Sequence, residues 1–259
     1  MPLQSPDVPP PARVPLLLLP GIVCDHAAWD PVVPALFRLA ACQVHETGPD
    51  RTLGAMAERV LASAPPAFAL AGHSMGGRVA LEIVRRAPRR VERLALLDTG
   101  WRPLPAGAAG EEERAGRYAL LALARRDGLR AMGRTWVRRM VHPERLEDAT
   151  LIDAILDMIE RQTCDRFEAQ IEALLARPDA GPVLRSIDCP TLVLCGRQDG
   201  WSPVAQHEEI AAMIPGAALE VIDDCGHMAP MEAPARVAES ILAWLRAPSE
   251  DAEERRWAS

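Results

Sequence analysis

Short apolar runs alternate with helix-like stretches along most of the chain, and this alternation restricts the possible folds more than any other feature. The runs VPLLLL at 14–19, AFALAG at 67–72 and PTLVLCG at 190–196 are apolar almost throughout, not only at every second residue. Such runs are typical of strands buried on both faces, as in a parallel sheet covered by helices. Further strands are predicted at CQVHET (42–47), VERLALLD (91–98) and ALEVID (218–223). The sequence therefore predicts an α/β fold, with a mostly parallel sheet flanked by helices.

The segments between these runs predict helices, because their apolar residues recur at helical spacing. The predicted helices cover 52–64, 75–86, 202–214 and 234–247, and the segment 26–40 is predicted to be mostly helical, opened at a proline. The long interval at 101–188 contains no strand-like run and shows helical periodicity. We therefore expect it to be an all-helical cap inserted into the α/β core.

This pattern also predicts the domain organisation. The core comprises 13–100 and 189–247, and the cap at 101–188 separates its two parts. Residues 1–12 include five prolines and predict a disordered tail, and 248–259 predict a frayed, charged tail. A chain of 259 residues is long enough to bury one large core.

The composition of the chain excludes several classes of function. A net charge of −7 argues against nucleic acid as a partner, and no apolar run approaches the roughly 18 residues that cross a bilayer. All 29 basic residues are arginine, which excludes the Schiff-base and pyridoxal-phosphate chemistry of lysine. The six cysteines show no metal-like spacing with histidine. We therefore expect a soluble, cytoplasmic protein without metal or cofactor and without a membrane partner.

A glycine-rich stretch, LAGHSMGGRVALEIVRR at 70–86, surrounds Ser74 where a predicted strand meets a predicted helix. Its G-x-S-x-G pattern is typical of a sharp turn that exposes a nucleophilic serine at the start of a helix. The alternative is a glycine-rich turn with an incidental serine. The position between strand and helix favours the nucleophile.

A serine hydroxyl becomes a good nucleophile when a histidine removes its proton and a carboxylate orients that histidine. Asp199 in CGRQDGWSP and His227 in DDCGHMAPMEAP follow Ser74 in that order. Both lie on loops after predicted strands, at the end of an open parallel sheet where ligands bind. Asp98, which ends the strand LALLD, is the alternative acid.

Together the motifs LPG, GHSMGG, GRQD and GHMAPMEAP, at these spacings, resemble those of the α/β-hydrolase superfamily, in particular its capped esterase- and lactonase-like branch. The resemblance covers nearly the whole chain. It implies Ser74 as nucleophile, Asp199 as acid and His227 as base. It also implies an oxyanion hole formed by the backbone N–H groups of Ile22 and Met75.

Two features depart from the pattern of that superfamily. Pro20–Gly21 occupy the oxyanion loop, where the superfamily commonly has His–Gly. The N-terminal part also has no room for the antiparallel hairpin with which the fold often begins. We therefore expect a sheet that is shorter at that edge.

Aromatic and methionine side chains near the predicted site indicate an apolar substrate group. Those on loops at the active-site end are Trp29, Trp101 and Trp201, those on the cap are Trp136 and Met140, and Met228 adjoins the predicted base. Such side chains suit an apolar acyl or aromatic group. Packing between cap and core is an equally good explanation for each of them taken alone.

These observations predict a serine hydrolase that cleaves a small-molecule carboxylic ester with water, through an acyl-enzyme intermediate. Hydrolysis of a carbon–carbon bond or of an enol-lactone on the same fold is the alternative. His73 mildly favours the ester, because the families with those activities often carry Asn or Leu at this position. A non-catalytic ligand receptor built on the same fold is a further alternative.

Overall fold

A computed structural model of the protein describes residues 13–248, which form a six-stranded sheet with helices on both sides. The strands are β1 (Val14–Leu19), β2 (Ala40–Val44), β3 (Phe68–His73), β4 (Val91–Leu97), β5 (Thr191–Gly196) and β6 (Ala218–Ile222). Their order across the sheet is β2-β1-β3-β4-β5-β6, and every neighbouring pair is parallel. The predicted parallel α/β fold is confirmed.

The helices of residues 13–248 match most of the helical predictions. They are α1 (Val33–Leu36), α2 (Leu53–Ser63), α3 (Met75–Arg86), α4 (Ala108–Asp127), α5 (Leu129–Trp136), α6 (Ala149–Glu160), α7 (Cys164–Leu175), α8 (Gly181–Leu184), α9 (Val204–Met213), α10 (Ala229–Glu232) and α11 (Pro234–Arg246). Apart from Pro248, the predicted tails at 1–12 and 248–259 lie outside the described residues.

The long helix predicted over 26–40 is wrong. The segment forms only a 3-10 turn at His26–Ala28 and the single turn of α1, and β2 already begins at Ala40. Pro31 and Pro34 interrupt the segment, and proline lacks the N–H that a helix interior requires. Helical spacing of apolar residues was therefore a misleading signal here.

The inner strands are buried as their sequences predict. The side chains of β3 and β5 are buried along their whole length, and so are those of Leu16–Leu19 in β1. The edge strand β6 is exposed at its first two residues. Because all strands are parallel, the loops that follow them emerge at one edge of the sheet, and Ser74, Asp199 and His227 all lie in such loops.

Residues 101–188, called here the helical insertion, contain α4 to α8 and no strand. Helix α4 packs against α5 and α7, and α5 packs against α6. Of the helices between residues 13 and 248, none is both long and apolar enough to span a membrane. A cytoplasmic location stays a prediction.

The turn from β3 into α3 depends on two glycines that allow backbones to approach closely. A Cβ on Gly72 would lie 2.4 Å from the carbonyl oxygen of Gly76. A Cβ on Gly76 would lie 2.2 Å from the carbonyl oxygen of Leu19 and 2.7 Å from that of Pro20. Side chains at these positions would therefore push the start of α3 away from the loop that follows β1.

Replacing Gly76 by alanine is expected to destabilise the protein by about 3 kcal/mol or more, because the neighbouring atoms are backbone and cannot rotate away. Gly116 in α4 is the matched control, since a Cβ there would meet nothing within 4 Å. G116A is expected to stabilise by about 0.5–1 kcal/mol through helix propensity. Urea denaturation of both variants measures the difference, and equal stabilities would contradict the proposed crowding at Gly76.

Candidate active site

Ser74 lies in a strained turn at the start of α3. Its φ of 54° and ψ of −118° place a non-glycine residue in a rarely populated backbone region. The turn is held by two hydrogen bonds: the Ser74 amide donates to the Leu97 carbonyl at 2.9 Å, and the Thr99 hydroxyl donates to the Ser74 carbonyl at 2.6 Å. The strain is thus fixed by contacts to the neighbouring strand and its loop.

The structure brings Ser74, His227 and Asp199 into one chain of hydrogen bonds. Nε2 of His227 lies 2.8 Å from the Ser74 Oγ, and Nδ1 of His227 lies 2.8 Å from Oδ2 of Asp199. A carboxylate only accepts, so Nδ1 carries the proton and Nε2 is free to accept the serine proton. The geometry is that of a nucleophile, a base and an orienting acid.

Asp199 is buried and yet ionised. Burial opposes its charge, but the His227 imidazole and the backbone amides of Trp201 and Ser202 outweigh that effect and lower the pKa of Asp199 below its usual value. Both amides donate to Oδ1 at 2.8 Å, and the imidazole takes Oδ2. Asp199 therefore offers a fixed negative charge to the histidine.

Asp98, the alternative acid, lies in the same region but does not contact His227. Its Oδ1 accepts the amide of Gly196 at 3.0 Å, and its Oδ2 lies 3.6 Å from Nε2 of His73. Complete burial, together with the negative charge of Asp199, raises the pKa of Asp98 well above its usual value. We therefore treat Asp98 as a neutral carboxylic acid behind the three-residue chain.

His73, beside the serine, is a buried neutral neighbour. Its Nε2 donates to the carbonyl oxygen of His227 at 2.7 Å. Burial, and then the proximity of His227, lower the pKa of His73 to about 3. A histidine with that pKa is a poor proton acceptor near neutral pH, so its role here is to hold the His227 backbone.

Glu232 fixes the loop that carries His227, and sequence reasoning missed it. Its carboxylate accepts the backbone amides of Gly226 and Met228, on both sides of His227, and that of His142 in the helical insertion. The amide of His227 itself donates to the carbonyl oxygen of Met140 at 2.7 Å. Glu232 follows His227 closely within the motif GHMAPMEAP. This short separation in sequence is the signal that could have indicated its contact with the His227 loop.

Two candidate oxyanion donors lie on segments that meet beside Ser74. A Cβ on Gly21 would lie only 3.2 Å from the Ser74 Cβ, which places the loop at 20–25, called here the β1 loop, against the serine. Within the described part of the chain, the amides of Ile22 and Met75 donate to no other protein atom. Neither N–H group is therefore occupied by a hydrogen bond within the described residues.

The six predicted substrate contacts fall into two groups. Near His227, the Trp201 ring lies 6.4 Å from the imidazole and meets Trp136 edge-on at 6.1 Å. Met140 and Met228 adjoin the histidine through the backbone and are buried. The structure does not bring the other two to this cluster: Trp29 is fully buried in the hydrophobic core, and Trp101 donates to Glu209 at 3.3 Å.

The chain is similar to known proteins over most of its length. A family model described as "Alpha/beta hydrolase family" matches residues 16–240. The pimeloyl-[acyl-carrier protein] methyl ester esterase of Aromatoleum aromaticum is 31% identical over 83% of this chain and 91% of its own length. A 2-hydroxy-6-oxononadienedioate/2-hydroxy-6-oxononatrienedioate hydrolase of Klebsiella pneumoniae is 29% identical over 63% of this chain and only 57% of that protein. The malate-bound structure of an esterase from Thermogutta terrifontis aligns with a TM-score of 0.78 and 29% identity, over 90% of this chain and 89% of that one.

Because the pKa of Asp98 is raised, this residue should make the folded protein less stable as pH rises. Replacing it by asparagine should remove that effect. Above about pH 4 an unfolded aspartate ionises, whereas folded Asp98 keeps its proton. The native state then binds more protons than the unfolded state, so this residue lowers stability as pH rises. We expect D98N to gain stability relative to the parent between pH 4 and pH 7.5.

Denaturant unfolding of the parent and D98N at several pH values measures this gain. D188N is the control, because Asp188 is exposed and forms no ion pair with any described residue. If the difference in unfolding free energy between the parent and D98N stays constant with pH, Asp98 is ionised in the folded protein.

Proposed function

Since the chain belongs to the alpha/beta hydrolase family, we propose that it is a serine hydrolase that cleaves carboxylic esters through an acyl-enzyme intermediate. Membership of this family makes the protein a hydrolase acting on a small molecule with water. The single observation that carries the finer proposal is the hydrogen-bond chain from Ser74 through His227 to Asp199, with both links at 2.8 Å. The similarity to two esterases, at 31% and 29% identity, supports the ester as substrate.

In the proposed reaction, the Ser74 Oγ attacks the ester carbonyl carbon while Nε2 of His227 takes its proton. Asp199 stabilises the imidazolium that forms, and the carbonyl oxygen becomes an oxyanion bound by the amides of Ile22 and Met75. The intermediate collapses, and His227 gives its proton to the departing alcohol. Water, deprotonated by His227, then attacks the acyl-enzyme and releases the acid and Ser74.

We assign the helical insertion the role of a cap over this site. The bond from the His227 amide to the Met140 carbonyl holds the insertion against the catalytic loop. Trp136 and Trp201, the rings near His227, supply an apolar wall for the acyl or alcohol group. Trp29 and Trp101 are not part of this proposed substrate wall.

Two arginines extend the proposal to the substrate class. The guanidinium groups of Arg117 and Arg139 each lie 5.8 Å from the centre of the Trp201 ring, and this ring adjoins His227. Arg117 shares the carboxylate of Glu113 with Arg177, whereas Arg139 is exposed and has no carboxylate partner between residues 13 and 248. This excess of positive charge favours esters with a carboxylate at the far end of the acyl group. The esterase solved with malate, a dicarboxylate, agrees with that choice.

Replacing Ser74 by alanine is expected to lower kcat by four orders of magnitude or more, because the nucleophile is lost while the fold is kept. Activity is measured on p-nitrophenyl esters of graded acyl length, with thermal unfolding as a check on folding. S240A is the control, since among the described residues the Ser240 hydroxyl bonds only to the Arg236 carbonyl on its own helix.

The same assay separates the alternatives. Turnover of a dienedioate or an enol-lactone without turnover of esters would transfer the proposal to those reactions. Saturable binding with no turnover by the parent protein would favour a receptor. Parental rates in S74A would exclude Ser74 as the nucleophile.

Replacing Arg139 by glutamine is expected to lower kcat/KM for monoesters of dicarboxylic acids about three- to fivefold, the effect of an exposed ion pair. The comparison substrates are the same esters with a terminal amide in place of the carboxylate. R134Q removes a charge from the nearby exposed Arg134, whose side chain contacts no described aromatic ring, and serves as the matched control. Equal losses on charged and amide substrates would exclude recognition of the carboxylate by Arg139.

A further inference from the structure

From the contacts of the β1 loop, we infer that Gln170, on α7 of the helical insertion, is a positioning residue that sets the direction of the Ile22 amide. The inference rests on the proposed function, in which that amide binds the oxyanion. Gln170 and the β1 loop are separated by almost 150 residues in sequence, but they are in direct contact in the folded chain. The insertion would then contribute to transition-state stabilisation as well as to substrate binding.

The β1 loop contains a residue that needs external support. Val23 has a φ of 51°, in the left-handed region that β-branched residues rarely adopt. Such a conformation costs of order 1–3 kcal/mol and persists only where surrounding contacts hold it. The side chain of Val23 is fully buried, so packing supplies part of that support.

Gln170 supplies a directed contact to this residue. Its side chain is completely buried, its Oε1 accepts the Val23 amide at 2.9 Å, and its Nε2 donates to the Thr47 hydroxyl at 3.3 Å. Because the Val23 amide can only donate, the carbonyl end of Gln170 must face it. The side-chain amide is therefore held at both ends, between the segment after β2 and the β1 loop.

The peptide group between Ile22 and Val23 is fixed from both sides. Gln170 binds its N–H, and the thiol of Cys24 donates to its carbonyl oxygen, the Ile22 oxygen, at 3.3 Å. Burial raises the pKa of Cys24 to about 12, so the thiol keeps the proton that it donates. Holding this peptide at both polar atoms restricts the ψ angle of Ile22, the residue whose own N–H, in the preceding peptide, is the proposed oxyanion donor.

A second contact ties the end of the same loop to the insertion. Asp25 accepts two hydrogen bonds from the guanidinium of Arg161, at 2.8 and 3.0 Å, and also accepts the amide of Ala27. The β1 loop is therefore bound to the insertion at Val23 and at Asp25. Loss of the Gln170 contact alone should release the peptide next to the donor without detaching the whole loop.

The test compares two replacements of Gln170. Methionine matches its length but lacks a strong acceptor, whereas glutamate keeps an acceptor for the Val23 amide at the cost of a buried charge. Kinetics on a p-nitrophenyl ester are normalised to active sites counted with an organophosphonate. We expect Q170M to lower kcat per site about tenfold with KM changed less than twofold, a fraction of the loss caused by removing an oxyanion donor.

Q170E separates positioning from simple structural support. We expect it to lower the melting temperature more than Q170M does, yet to keep most of the kcat per site. E168Q is the matched control, because Glu168 lies two residues earlier on α7 and pairs with Arg125 of α4. The inhibition constant of a trifluoromethyl ketone, which forms an oxyanion on the serine, should rise in parallel with the loss of kcat in Q170M.

Two results would overturn the inference: an unchanged kcat per site in Q170M, or losses of kcat that follow melting temperature across Q170M, Q170E and E168Q. A parent protein that hydrolyses no ester would refute the proposed function itself, which is a different outcome.

Discussion

The close approach of α3 to the β1 loop is the constraint on which the rest of the site depends. Without side chains at Gly72 and Gly76, the first turn of the helix lies against the backbone of Leu19 and Pro20. Ser74 is thereby held in its strained conformation, with its hydroxyl 2.8 Å from the imidazole of His227. The same approach brings together the segments that carry the amides of Ile22 and Met75, so that the proposed nucleophile and the proposed oxyanion donors have one structural origin.

Three buried carboxyl groups lie at this site, and their surroundings shift their pKa values in different directions. Asp199 receives an imidazole and two amides, which lower its pKa in spite of burial. Burial dominates at Asp98 and at Glu232 and raises the pKa of each, although Glu232 accepts three backbone amides. In a medium of low dielectric constant, several charges side by side would weaken one another's ionisation. Of these three groups, only the one that contacts His227 has a lowered pKa.

The sequence was most informative where a structural requirement is local. All six strands were predictable because burial on both faces demands continuous apolar runs, and the turn at Ser74 was predictable because its geometry demands glycine. Helical spacing is a misleading signal at 26–40, because two prolines outweigh it there. The order of Ser74, Asp199 and His227 along the chain predicted that they lie close together. The parallel sheet brings them together, because the loops after its strands share one edge.

Contacts between distant segments had no such signature. Gln170 follows helical spacing like any residue of α7, and nothing in a single sequence marks it as the partner of Val23. Likewise, Trp29 and Trp201 look alike in sequence, yet the first is fully buried in the core and the second lies beside His227. Packing across the whole fold decides which of two similar loop residues reaches the site.

The helical insertion therefore contributes to the site in two ways. Its apolar side chains near His227 are suited to contact a substrate, while Met140 and Gln170 hold the backbone on either side of the serine, at His227 and at Val23. These holding contacts use main-chain or amide groups that do not depend on the identity of the substrate wall. In the proposed function, Trp136 and Arg139 contact the substrate, whereas Met140 and Gln170 hold the proposed base and the proposed oxyanion donor. Replacing residues of the first pair should therefore change specificity without moving the groups proposed to carry out the reaction.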